Sequence, residues 1–136
     1  MAANNVTIQQ AWIAKLKSFP TVVAELPDAE QIKEMQWQGT NFSYPGIRVG
    51  VDFMPSINGC GPDGATIFLD IHAEDKSSMK ATTISGLIEN LIHKHPFIEP
   101  TTGLRFSIVV VKKVTHPVRT QYQDWVSKIE ISVQVI

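Results

Sequence analysis

The longest unbroken pattern in the chain lies at its end, where Ile129, Ile131, Val133 and Val135 alternate with Lys128, Glu130, Ser132 and Gln134. A period of two places the apolar set on one face of an extended strand and the polar set on the other, so residues 125–136 are predicted to form a strand with one buried face. The same rhythm recurs over residues 47–54, where Ile47, Val49, Val51 and Phe53 alternate with Arg48, Gly50 and Asp52. It recurs again over 65–74, with Ile67, Leu69 and Ile71 opposing Thr66, Phe68, Asp70 and His72. Residues 104–114 are apolar on both faces, Phe106, Ile108 and Val110 against Ser107, Val109 and Val111, which predicts the central strand of the sheet.

Two segments carry the helical period instead. Ile8, Ala11, Trp12, Lys15, Leu16 and Phe19 recur at steps of three and four, predicting an amphipathic helix over 5–19 with Asn5 as its N-cap and Pro20 as its stop. Trp12 falls on the core side of that helix. Ile84, Leu87, Ile88, Leu91 and Ile92 make a second stripe, predicting a long helix over 77–95 opened by Asp75 or Ser77. Between the first helix and the first strand the pattern weakens. Pro27-Asp28 can open a short helix through Ile32 and Met35, and Gly39 and Tyr44-Pro45-Gly46 then break the chain, so residues 21–46 read as a connecting arm. Turn formers crowd residues 55–64 and 100–103, and 116–124 is a polar connection.

The order is α-β-β-α-β-β, two hairpins around a helix. It predicts an α+β domain spanning residues 1–136: a mostly antiparallel four-stranded sheet with the N-terminal helix and the long central helix on one face. A chain of 136 residues has room for one core of this kind and not for two. Hydrophobic residues at 43% and charged residues at 18% are those of a folding domain. The net charge of −1 lacks the basic excess that draws proteins to phosphate backbones. Cys60 is the single cysteine, which excludes an internal disulfide and suits synthesis in a reducing cytoplasm. The first ten residues carry neither a basic flank nor an apolar run, and no stretch reaches the length of a membrane span, so no membrane partner is expected.

Candidate chemistry is sparse. His93 and His95 are two apart, which on a helix turns them away from one another, and a histidine cation at a helix C-terminus is the simpler reading. His72 has Asp70 on the same strand face, a fragment of many catalytic sites but without a nucleophile beside it. Cys60 sits between glycines with no neighbouring base to activate it. The run Asn58-Gly59-Cys60-Gly61-Pro62-Asp63-Gly64 lacks the lysine and following helix of a phosphate-binding loop. Lys112, Lys113 and Arg119 near Tyr122 and Trp125 resemble a weak nucleic-acid patch, though acidic residues elsewhere cancel their charge. No catalytic residue, cofactor or metal is expected. Trp37, isolated in the arm, suits an anchor on a neighbouring subunit.

Taken together, the N-terminal helix, the arm, the strand Pro45-Gly-Ile-Arg-Val-Gly-Val51 and the strand Ala65-Thr-Ile-Phe-Leu-Asp-Ile-His-Ala-Glu-Asp-Lys-Ser-Ser78 running into a helix resemble the tail-completion or tail-terminator proteins of tailed bacteriophages. The resemblance covers nearly the whole chain as a pattern of elements. It implies a non-enzymatic virion protein, made in the host cytoplasm, that forms a homo-oligomeric ring, typically a hexamer, at the head-proximal end of the tail. Such a ring caps the tail tube, ends its growth, and joins it to a head-side connector or stopper; the sheath protein is a further neighbour. DNA passes through the lumen without specific binding. Ile57, Asn58, Cys60, Trp37, Arg119 and Tyr122, on the loops and the arm, are the expected assembly contacts. A head-side connector, stopper or minor tail protein is the alternative within the same neck. A small hydrolase or ligand-binding domain using Asp70, His72 and Cys60 is the alternative outside it.

Overall fold

In the computed structural model, which describes residues 4–35, 44–55, 63–74, 78–120 and 124–135, the alternating segments become the long strands of one sheet. In chain order the elements are α1 (Asn5–Lys17), α2 (Pro20–Val23), a 3-10 turn (Ala29–Gln31), β1 (Ile32–Glu34), β2 (Gly46–Met54), β3 (Asp63–Ala73), α3 (Met79–Ile92), β4 (Phe97–Ile98), β5 (Arg105–Val114), β6 (Val118–Arg119) and β7 (Trp125–Val135). The strands are ordered β1-β2-β3-β7-β5-β4, with β6 also paired to β7. Together they curl into a half-barrel.

This overturns the four-stranded sheet with a long central helix. Three further strands, β1, β4 and β6, have only two or three residues each, too short for any period to show. The helix expected over 77–95 is the 14-residue α3. The central position belongs to β7, between β3 and β5, while β5 has only β4 on its other side. Apolar residues on both faces of β5 have a different cause from burial on both faces. Its pairing with β7 shifts register between Phe106 and Ile108 and again between Val111 and Lys113. Each bulge turns the strand over, so Phe106 and Val109 are both buried while Ile108 is exposed.

The arm is more regular than its sequence suggests. Pro20 does more than stop α1: it opens α2, at the helix position where a missing N–H costs nothing. The Asp28 carboxylate accepts from Glu30 N at 2.9 Å and caps the 3-10 turn, after which the chain extends. In place of a helix through Met35, β1 runs parallel to β2 with Ile32 opposite Ile47 and Glu34 opposite Val49. The cap of α1 is Asn4, one residue before the expected one. Its side chain accepts from Thr7 N at 2.9 Å while the Thr7 hydroxyl accepts from Asn4 N at 3.0 Å.

One face of the sheet meets the helices. Ile47 and Val49 of β2, Ile67, Leu69 and Ile71 of β3, and Ile129, Ile131 and Val133 of β7 share a core with Ile8, Trp12 and Leu16 of α1 and Ile84, Ile88 and Ile92 of α3. Trp12 is fully buried and edge-on to Phe97 and Phe106, at centroid distances of 5.2 and 5.7 Å.

Three side chains and one backbone amide cover the sheet edges where strands stop short. Beyond β1, Gln9 Nε2 donates to the Val49 carbonyl at 2.7 Å, and Asn5 Oδ1 accepts from Phe53 N at 3.0 Å. Beyond β4, Lys94 N donates to the Val109 carbonyl at 2.8 Å and His93 Nδ1 accepts from Val111 N at 3.0 Å. These bonds satisfy strand groups that would otherwise pair with a further strand, so these edges are left to meet other surfaces through side chains only. The turn from β4 to β5 is built on the buried Glu99 carboxylate, which accepts from Thr101 N at 2.9 Å and from Thr102 N and Thr102 Oγ1 at 2.7 Å each. Gly103, at φ +74, closes this turn in the left-handed region that favours glycine.

Candidate functional site

Because successive strand residues face opposite ways, the positions left out of the core collect on the outer face of the sheet. Register fixes their rows. Asp52, Thr66 and Ser132 make one; Gly50, Phe68, Glu130 and Lys113 the next; Arg48, Asp70 and Lys128 a third. The middle of this face holds a hollow of about 430 Å³, with Phe68 and Met35 supplying apolar wall and Asp70, Lys128, Glu130 and Lys113 the charges. Met35 reaches it across Gly50, where an added Cβ would come within 3.3 Å of Met35 Cε. None of those four charged side chains belongs to an ion pair among the described residues. Two lysines against two carboxylates leave the hollow without the net charge that would select a phosphate or a metal.

At one end of the outer face stands His72, with Nδ1 2.8 Å from Asp124 Oδ2. Thr120 Oγ1 donates to the other carboxylate oxygen, and Thr120 N donates to the Asp124 carbonyl at 2.8 Å. Burial opposes ionisation of Asp124, but the hydrogen bonds from Thr120 and His72 together hold its carboxyl below the ordinary aspartate value. With Asp124 ionised, the shared proton sits on His72 Nδ1. The pairing of His72 with Asp70 is therefore corrected: Asp70 lies opposite Arg48 and Lys128, and the true partner comes from the start of β7. Tyr44 packs nearby, its ring centroid 6.3 Å from that of His72. Burial, then the negative charges of Asp124 and Glu74, raise the pKa of its hydroxyl. The group fastens the β6–β7 turn to β3.

His93 and His95 both lie past the end of α3. His93 Nδ1 accepts from Val111 N at 3.0 Å, next to the second bulge of β5. Among the described residues no three His, Cys, Asp or Glu side chains gather around a metal-sized site, and no helix is long and apolar enough to cross a membrane.

Of the expected assembly residues, Trp37, Ile57, Asn58, Cys60 and Tyr122 lie outside the described residues, as does most of the 55–64 loop. Arg119 is exposed on β6 with its guanidinium 5.7 Å from the Trp125 ring centroid. Lys112 and Lys113 are exposed on β5, Lys113 opposite Glu130. Sequence reasoning missed Asp124 and Glu99. Nothing local marks Asp124 as the partner of a histidine on a distant strand, whereas Glu99-Pro-Thr-Thr-Gly103 does carry the composition of a carboxylate-capped turn.

No protein-family model and no curated protein matches the chain. Among solved structures, it is similar to a chain of one titled "Virion of native gene transfer agent (GTA) particle", with a TM-score of 0.69 over 96% of this chain and 94% of that one. Identity between the two is 8%, so the likeness is one of fold.

Proposed function

We propose that this protein is a structural component of a phage-like virion, and within it a tail terminator: a ring of identical subunits that caps the head-proximal end of the tail tube, ends its growth and joins the head-side neck. The observation that carries the reading is the end-to-end likeness of fold to a chain of a gene transfer agent virion, in which neither protein has a large part left unmatched. The terminator role rests in addition on the resemblance to tail-completion proteins carried by the N-terminal helix, the strand at 45–51 and the segment 65–78 running into a helix. The polar networks around the buried carboxylates of Asp124 and Glu99 are spent on holding turns, which suits a scaffold. A near-neutral chain also suits a passage through which DNA slides without being held.

Light scattering on the purified protein, alone and after mixing with tail tubes, tests the reading. The expected result is a closed ring of six subunits, or a monomer that becomes one at a tube end. A twelve-fold ring would transfer the protein to the head side of the neck, and a chain that stays monomeric under all conditions would remove it from the neck altogether.

A further inference from the structure

We infer that the ring closes through the two lateral edges of the sheet, the β2 edge of one subunit meeting the β4–β5 edge of the next, with Asp52 facing Arg105. This inference rests on the ring reading above and gives it a contact.

The argument starts from where exposed apolar residues lie. On the β2 side, Met54 is 53% exposed and Val6, in the first turn of α1, is 61% exposed. Asn5, the neighbour of Val6, is bonded to Phe53 N, which places Val6 at the same edge as Met54. On the far side, Ile98 of β4 is 57% exposed and Ile108 of β5 is 46% exposed. A hollow of about 370 Å³ beside them is lined by Phe97, Ile98, Arg105 and Phe106 among others. Of the seven large apolar side chains exposed among the described residues, these four stand as two pairs, one on each lateral edge, while Met79 on α3, Val114 at the end of β5 and Val118 on β6 lie apart from them.

Register sets their height. Met54 is opposite Gly64, Gly64 opposite Gln134, and Gln134 opposite Ile108, so Met54 and Ile108 occupy the two ends of one row across the sheet. Asp63, Val135, Phe106 and Phe97 form the next row, and Ile98 with Arg105 the one after. At this height β1 no longer flanks β2, because it reaches only Val49. Both edge clusters therefore lie at the same end of the strands. That is the arrangement a head-to-tail ring requires, since rotation about the ring axis must bring one patch of each subunit against a different patch of its neighbour at equal height.

Charge completes the match. Asp52 is exposed on β2 two residues from Met54, and Arg105 is exposed on β5 opposite Ile98. Neither belongs to an ion pair among the described residues. The β2 edge is apolar and acidic, and the β4–β5 edge is apolar and basic. Two copies are complementary in the heterologous sense, whereas pairing either edge with itself sets like charges together.

Charge reversal tests this on the full chain. In Arg105→Asp and in Asp52→Arg each subunit carries two edges of one sign, and the concentration needed for half assembly should rise by roughly tenfold or more in each. An equal mixture of the two variants should assemble again, as rings in which they alternate, and the double exchange Asp52→Arg/Arg105→Asp should assemble on its own. Circular dichroism of each variant, superimposing on that of the parent, accompanies the mass measurement. Assembly of both single variants at the parent's concentration would overturn the contact while leaving the ring standing. Rings of unchanged mass that no longer attach to tail tubes would assign the edges to another protein and overturn it as well. A parent chain monomeric under all conditions, tubes included, would remove both the contact and the ring.

Discussion

The inner and outer faces of the sheet are made by alternate residues of the same strands, yet they obey different rules. Inside, Ile47, Ile67, Leu69, Ile71, Ile129 and Ile131 are all at or near zero exposure, and each fits against α1 or α3. Outside, charge follows charge in rows, and the hollow around Phe68 keeps lysines and carboxylates that bond to nothing within the described chain. The lesson is one of division of labour: the inner face is spent on packing, and the outer face keeps charged side chains that the described residues do not pair.

That division can be broken most severely at Trp12. Replacing it with alanine empties the space against Phe97 and Phe106, and should cost roughly 3–5 kcal/mol in denaturant unfolding. A loss below about 1 kcal/mol would mean that the inner face is not the close-packed interior described above. Next come the buried carboxylates. Burial works against ionisation of Glu99, but the hydrogen bonds from Thr101 and Thr102 more than offset it and lower its pKa, as Thr120 and His72 do for Asp124. Both groups hold a proton less tightly folded than unfolded. Their stabilisation is therefore full above the unfolded carboxylate value near about 4 and is lost as pH falls through the lower folded values. Glu99→Gln should cost roughly 1–3 kcal/mol at neutral pH and flatten the acid limb of a stability profile; an acid limb identical to the parent's would remove Glu99 from this account. The smallest effect belongs outside. Lys128→Ala should leave stability within about 0.5 kcal/mol, and a larger loss in the melting curve would show that the outer rows hold the fold as well.

The fold was legible wherever a residue's environment repeats along the chain. Alternation located the four long strands to within a residue or two, and the three-and-four spacing located α1 and α3. What escaped was set by contacts distant in sequence. Ile32, Lys33 and Glu34 form a strand because β2 lies beside them, with no period of their own to show it. The bulges in β5 made a strand next to the edge look central, since an inserted residue moves apolar positions onto both faces. At the candidate site, His72 was visible and Asp124 was not. A strand neighbour such as Asp70 is the partner that sequence offers, and the fold supplied another from the far side of β3. Five of the six residues expected from sequence as assembly contacts lie outside the described residues, and the sheet edges follow from register, which no local pattern shows.

The first helix has a consequence for how the chain is made. Asn5 and Gln9 bond to β2, and Trp12 is enclosed by Phe97 and Phe106, which follow much later in the chain. α1 leaves the ribosome before β2, and well before Phe97 and Phe106, so it waits for each of these docking surfaces in turn. Contacts of such wide sequence separation slow folding, because a long loop must close before they form. Until β5 emerges, the indole of Trp12 remains an apolar surface for the cell's chaperones to shield.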